Sequence, residues 1–154
     1  PACRLLMSIP GVGLLTATAI AAATGGTVVH FTDARHFASW FGLTPKESSS
    51  GGTRHLGRIS KRGDKYLRVL LTHGARSVLC AAASAASKGK ELTGVRQWAT
   101  QVQRRANHNK AVCALANKMA RICYGVLRDQ TPFGQPATRD AGRKTQRLSF
   151  AIAD

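Results

Sequence analysis

The sequence predicts a mainly α fold, one compact helical domain with a Ser/Gly-rich loop or small hairpin before a long amphipathic helix. Two observations carry this. First, "KYLRVLLTHGARSVLCAAASAA" and "KAVCALANKMARICYGVLRD" place apolar residues at i, i+3, i+4 and i+7, the spacing of a buried helical stripe. Second, 154 residues with 44% apolar and 19% charged content suit a single core. Residues 1–130 read as the domain and residues 131–154, where periodicity stops and Pro, Gly and charge rise, as a basic, mobile tail. The chain begins with Pro1 and reads as a piece of a longer protein.

Taken in order, "IPGVGLLTATAIAAATGG" (Ile9–Gly26) predicts a tight Gly turn leading into an Ala-rich helix that Gly25-Gly26 ends. "FTDARHFASWFGL" predicts a short helix capped at Thr32 or Asp33, with Phe37, Trp40 and Phe41 at core spacing. Glu47–Gly63 has no helical period; Arg54–His55 and Arg58–Ile59 are its candidate hairpin partners. Asp64 suits the N-cap of the strongest helix, whose Leu67, Leu70, Leu71, Gly74, Ala75, Val78 and Leu79 face inward. Its opposite face carries Lys65, Arg68, Thr72 and Arg76. A further helix has Leu92, Val95, Ala99 and Val102 inward; "NHNK" bends it into a last one, with Val112, Leu115, Met119, Ile122, Cys123 and Val126 inside. Lys118, Arg121 and Arg128 are left for solvent or a partner.

The charge points to the partner. There are 23 Lys and Arg against 7 Asp and Glu, net +16, concentrated between residues 46 and 128. Such an imbalance selects a polyanion, nucleic acid first. Cys3, Cys80, Cys113 and Cys123 form no CxxC pair and no zinc spacing, the last three lying in apolar helical stretches as small hydrophobes. That usage fits a reducing cytoplasm. No signal peptide or run long enough to span a membrane is read from the sequence.

Three motifs invite chemistry. Ile9-Pro10-Gly11-Val12-Gly13 before a small-residue helix has the form of a helix-hairpin-helix, in which Gly11 and Gly13 would let backbone approach a DNA phosphate; the plainer reading is a turn between helices. "SSSGGTRHLGRIS" is not a P-loop, because Arg58 and Ile59 stand where Lys and Ser/Thr are required, and no GxSxG elbow occurs. Carboxylates are too few and scattered for a two-metal nuclease site, so no metal residues are assigned. What remains is a serine beside Gly51-Gly52, followed by Arg54, Arg58, Lys61, Arg62, Lys65 and Arg68. These residue types leave two readings open: a nucleophile whose phosphoryl charge is neutralised by guanidinium groups, or a flexible loop whose cations only hold phosphates.

Taken together, "IPGVGLLTATAI", "FASWFGLTPKESSSGG", "LGRISKRGDKYLRVLLTHGAR" and "KAVCALANKMARICYGVLRD" resemble, in order and spacing over residues 5–130, the C-terminal transposase domain of the insertion-sequence 110 family, with insertion sequences 116 and 902. The resemblance implies a DNA recombinase whose catalytic serine, directly before Gly-Gly, is Ser50. It implies phosphate or RNA contacts at Lys61, Arg62 and Arg68, a structured bridge RNA that pairs with target and donor DNA, and homo-oligomers of the full-length protein. It also implies a RuvC-like Asp-Glu-Asp-Asp domain holding Mg²⁺, absent from these residues, without which the serine domain is expected to be inactive. No cofactor is assigned to this chain, no membrane partner is expected, and the expected location is the bacterial or archaeal cytoplasm, with the nucleoid. The alternative is a non-catalytic DNA- or RNA-binding remnant of a truncated transposase.

Overall fold

The computed structural model describes residues 1–135; the tail assigned to residues 131–154 lies outside the described residues from position 136 onward. Among the described residues, six helices and one two-stranded hairpin follow in the order α1 (Ala2–Met7), α2 (Leu14–Thr24), α3 (Ala34–Trp40), β1 (Pro45–Glu47), β2 (Leu56–Ile59), α4 (Lys65–Ser87), α5 (Gly94–Arg105) and α6 (His108–Asp129). The fold is mainly α, as the periodicity requires.

Three of the helices start where the sequence supplies a side-chain partner for their first N–H groups. Asp33 accepts from the backbone N–H of Arg35 and His36, both at 2.7 Å, and these bonds, His36 first, hold its carboxyl below the usual carboxylate range. Asp64 accepts from Leu67 N–H at 2.8 Å, and Asn107 from Lys110 N–H at 2.8 Å. The Asn107 cap turns the expected bend at "NHNK" into a break between two helices. Leu92 precedes α5 rather than lying on it.

The core is organised around α6, which packs against α1, α3, α4 and α5. Leu115, Met119 and Cys123 are fully buried on it; burial pushes the Cys123 thiol up to about 12 and leaves it unreactive. On α4 the buried stripe is Leu67, Leu71, Ala75, Val78, Leu79 and Ala82. Phe31, Phe37, Trp40, Phe41 and Tyr124 form an aromatic cluster, with Phe37 meeting Phe31 and Phe41 edge-on at 4.8 and 4.9 Å.

Three expectations need correction. The hairpin pairs Pro45 with Ile59 and Glu47 with Leu56, not Arg54–His55 with Arg58–Ile59, because the turn falls at Gly51-Gly52 and both arms must run away from it. Cys80 is exposed, since its position on α4 falls opposite the buried stripe. By length and hydropathy alone α4 is also long and apolar enough to cross a bilayer. Its contacts with α2, α5 and α6 make it the core helix of this domain.

One close approach fixes the turn before α2 onto α4. A Cβ on Gly74 would lie 2.2 Å from the Gly11 carbonyl oxygen, and one on Gly11 would lie 2.7 Å from the Gly74 oxygen and from Val78 Cγ2. Backbone meets backbone here, a contact only two glycines allow.

Candidate nucleic-acid interface

The Ser/Gly stretch is an ordered arm. Between β1 and β2, Ser48 N–H donates to the His55 carbonyl at 2.9 Å, and Thr53 N–H to the Ser50 carbonyl at 3.1 Å. Ser50 and Thr53 face each other as an isolated antiparallel bridge, leaving Gly51 and Gly52 as a two-residue turn. Their φ values of 58° and 81° are the pair of left-handed conformations a type I′ hairpin turn demands, which accounts for the double glycine. One extra residue on β2 between the paired positions makes a bulge that twists the arm. At its base Ser60 N–H donates to Thr44 O at 2.8 Å and Lys61 N–H to Gly42 O at 3.0 Å.

This geometry separates the three serines. Ser49 Oγ donates to Glu47 Oε1 at 2.8 Å. Arg54 grips the same carboxylate through Nε and NH2, both at 3.0 Å, a bidentate pair across the arm. Arg54 first and Ser49 second hold the Glu47 carboxyl below its ordinary value. Ser50 is exposed one residue beyond this tie, and among the described residues its Oγ makes no hydrogen bond.

The expected cations divide by role. Arg58, Lys61, Arg62 and Lys65 are all exposed on the arm and the start of α4. Arg54 is engaged by Glu47, and Arg68 is half-buried, donating through NH1 to the Phe41 carbonyl at 3.0 Å. Arg68 therefore ties α4 to the end of α3 beside the arm's base. Of the two turn glycines, Gly11 is spent on the α4 contact, while Gly13 is exposed with open space around it at the N-cap of α2.

Between the arm and the α5–α6 face lies a groove of about 1080 Å³. Arg58 and Lys61 enter it from the arm, and Lys110, Lys118 and Arg121 from α6; none of its lining residues is acidic. Lys110 and the α5 residue Trp98 are functional candidates that the sequence reading does not reach. The available signal is that Lys110, Asn117 and Arg121 fall at helical spacing on the face of α6 opposite its buried stripe.

A metal centre does not assemble from these side chains. Asp33 and Asp64 cap helices, Glu47 is held by Arg54, and Asp129 is paired with Arg128 at 2.7 and 2.9 Å. No group of three or more His, Cys, Asp or Glu converges among the described residues. The Mg²⁺ chemistry implied by the resemblance finds no donor set here, and no step is routed through it.

The profile of the transposase IS116/IS110/IS902 family matches residues 3–91, which contain α1 from its second residue, α2 to α4 and the whole arm. The chain belongs to this family. Among curated relatives, a probable family 20 transposase of Pseudomonas aeruginosa is 44% identical over 127 residues, covering 82% of this chain and 35% of the relative. The transposase for insertion sequence element IS1111A of Coxiella burnetii is 39% identical over 131 residues, 85% of this chain and 34% of that protein. A pilin gene-inverting protein of Moraxella bovis is 30% identical over 130 residues, 84% of this chain and 38% of its own length. The chain thus spans about a third of the length of the family members it matches.

Proposed function

We propose that this chain is the serine-bearing part of an insertion-sequence transposase, in which Ser50 attacks a DNA phosphodiester. The observation that carries the reading is the presentation of Ser50: exposed at the tip of an ordered arm and followed by two residues without side chains. A phosphate can approach its Oγ with no Cβ at Gly51 or Gly52 in the way. In the step proposed, Ser50 Oγ forms a bond to phosphorus, its proton passes to the water that bathes the tip, and the deoxyribose oxygen leaves with the electron pair of the broken P–O bond. The product is a phosphodiester linking Ser50 to one DNA end. Arg58, further down the arm, and Lys61 and Arg62, at its base, are exposed cations that would hold neighbouring phosphates of the strand Ser50 attacks. By the resemblance, a structured bridge RNA selects the DNA, a RuvC-like domain brings Mg²⁺, and full-length copies assemble as oligomers.

A second reading, a module that only grips nucleic acid, is favoured by one observation: among the described residues no side chain is hydrogen-bonded to Ser50 Oγ to take its proton. A full-length family member carrying these residues, incubated with its RNA and DNA and denatured, separates the two. A DNA adduct mapped to Ser50 by mass spectrometry supports the first reading. Undiminished binding without any adduct supports the second.

Binding itself has an expected signature. The affinity of the chain for duplex DNA falls steeply with salt. Changing Lys61 and Arg62 together to Ala lowers the slope of log K against log salt by about 0.9 for each phosphate that is no longer neutralised. Arg68→Ala, in contrast, lowers thermal stability, because it removes the tie to Phe41 O. An unchanged slope in the double variant would take these two residues out of the clamp.

A further inference from the structure

We propose that the groove between the arm and α5–α6 seats a short unpaired stretch of the DNA strand. The inference rests on the reading that the chain acts on DNA and goes beyond it in naming the form of the substrate.

A surface built for duplex backbone needs cations and polar donors, since a duplex presents phosphates and sugars outward and keeps its base faces stacked inside. The floor of this groove is of another kind. Leu56, Ile59, Trp98 and Ala114 line it above the buried Leu43, and Leu56 is 54% exposed. Phosphates laid on such a floor would lose water and gain nothing. Base faces, in contrast, gain contact with apolar and aromatic side chains whatever their sequence.

The charge distribution completes the match. Arg58 and Lys61 stand on one wall and Lys110, Lys118 and Arg121 on the other, which suits a strand whose phosphates follow the walls while its bases turn to the floor. Lys118 Nζ sits over the Trp98 ring, 4.3 Å from its centroid, which packs one cation onto the aromatic ring within the lining. Asn117 donates its Nδ2 to the Leu43 carbonyl at 3.1 Å, which fixes the amide and leaves Oδ1 as an acceptor for a base edge. At about 1080 Å³ the volume lies just above the ~300–1,000 Å³ typical of small-molecule pockets, room for a few nucleotides but not for a double helix. Leu56, Arg58 and Ile59 of this lining belong to β2, the strand that returns from the Ser50 turn, so an unpaired strand held here would lie along the arm that carries the nucleophile.

The test uses the 154-residue chain, a fluorescent oligothymidine of about twelve nucleotides, a duplex of equal length, an oligouridine and a polyglutamate peptide, compared by anisotropy at matched salt. The expected result is tighter binding of oligothymidine than of duplex. Leu56→Ser, at an exposed position that leaves the fold intact by circular dichroism, then weakens oligothymidine about five- to tenfold and duplex by less than about twofold. Lys110→Ala with Arg121→Ala likewise lowers the salt slope for oligothymidine more than for duplex. Three results overturn the proposal: equal losses for single strand and duplex in Leu56→Ser, tighter binding of oligouridine than oligothymidine, or displacement of oligothymidine by equimolar polyglutamate. Duplex binding that survives any of these leaves the DNA-acting reading standing; loss of all nucleic-acid binding in the unmodified chain removes both.

Discussion

Ser50→Ala, placed in a full-length family member supplied with DNA and the bridge RNA proposed for it, is expected to leave no covalent protein–DNA adduct while binding stays within about twofold, since one exposed hydroxyl contributes little to affinity. The neighbouring serines make the comparison sharp. Ser49 has its hydroxyl on Glu47 at 2.8 Å, so Ser49→Ala costs one exposed hydrogen bond and leaves the turn and Ser50 in place. Ser48 contributes to the arm through its backbone N–H, which alanine retains. Both variants should keep most of the adduct. Gly51→Val should lose it almost as fully as Ser50→Ala, for a separate reason. A β-branched residue at φ 58° costs about 1–3 kcal/mol and forces the turn open, which moves Ser50 without removing its hydroxyl. An adduct that persists in Ser50→Ala and maps to another residue would end the assignment.

Gly74→Ala is expected to destabilise the domain although it improves a helix. In an open helix interior the change is worth about 1 kcal/mol in favour of alanine. Here the new methyl carbon would lie 2.2 Å from the Gly11 carbonyl oxygen and 3.2 Å from Met119 Cε. The methionine end can move; the backbone oxygen can do so only if the turn before α2 lifts from α4. Overpacking of this kind costs about 1–3 kcal/mol even where side chains yield, and with backbone on both sides the upper part of that range applies. The clash wins, and the net loss should be about 2 kcal/mol, read as a lower melting temperature with an unchanged helical circular dichroism spectrum at low temperature. A melting temperature equal to or above that of the parent chain would show that the two segments separate more easily than their close approach implies.

The parts of the fold legible in the sequence are those governed by local chemistry. The i, i+3, i+4 stripe of α4 is its buried face, and Asp33 and Asp64 are caps, because both depend on neighbours within a turn of helix. The hairpin register is not legible in this way, because it depends on which residues face each other across the Gly51-Gly52 turn, and β1 is only Pro45–Glu47. The candidate site divides along the same line. Gly51-Gly52 before a basic run stands out as a motif, and the arm accounts for it. That Arg54 is held by Glu47 and Gly11 by α4, and that Arg68 also bonds the Phe41 carbonyl, depends on tertiary placement that sequence order does not show. Lys110 and Trp98 are far from Arg58 along the chain, and only folding brings them to the same groove.

The central position of α6 has a consequence for how the chain is made. The segment that the family profile matches ends at residue 91, yet the apolar stripe of α4 and the inner face of α3 are covered by a helix that begins at His108. During synthesis α1 to α4 therefore emerge from the ribosome with these faces bare, and at about 5–20 residues per second they remain so for seconds until Asp129 has cleared the exit tunnel. A gene cut at the end of the matched segment would release a product held permanently in that unfinished state, sticky rather than folded. An insertion or frameshift anywhere before α6 is complete should therefore silence this protein by aggregation and degradation, even when the arm with Ser50 is encoded intact.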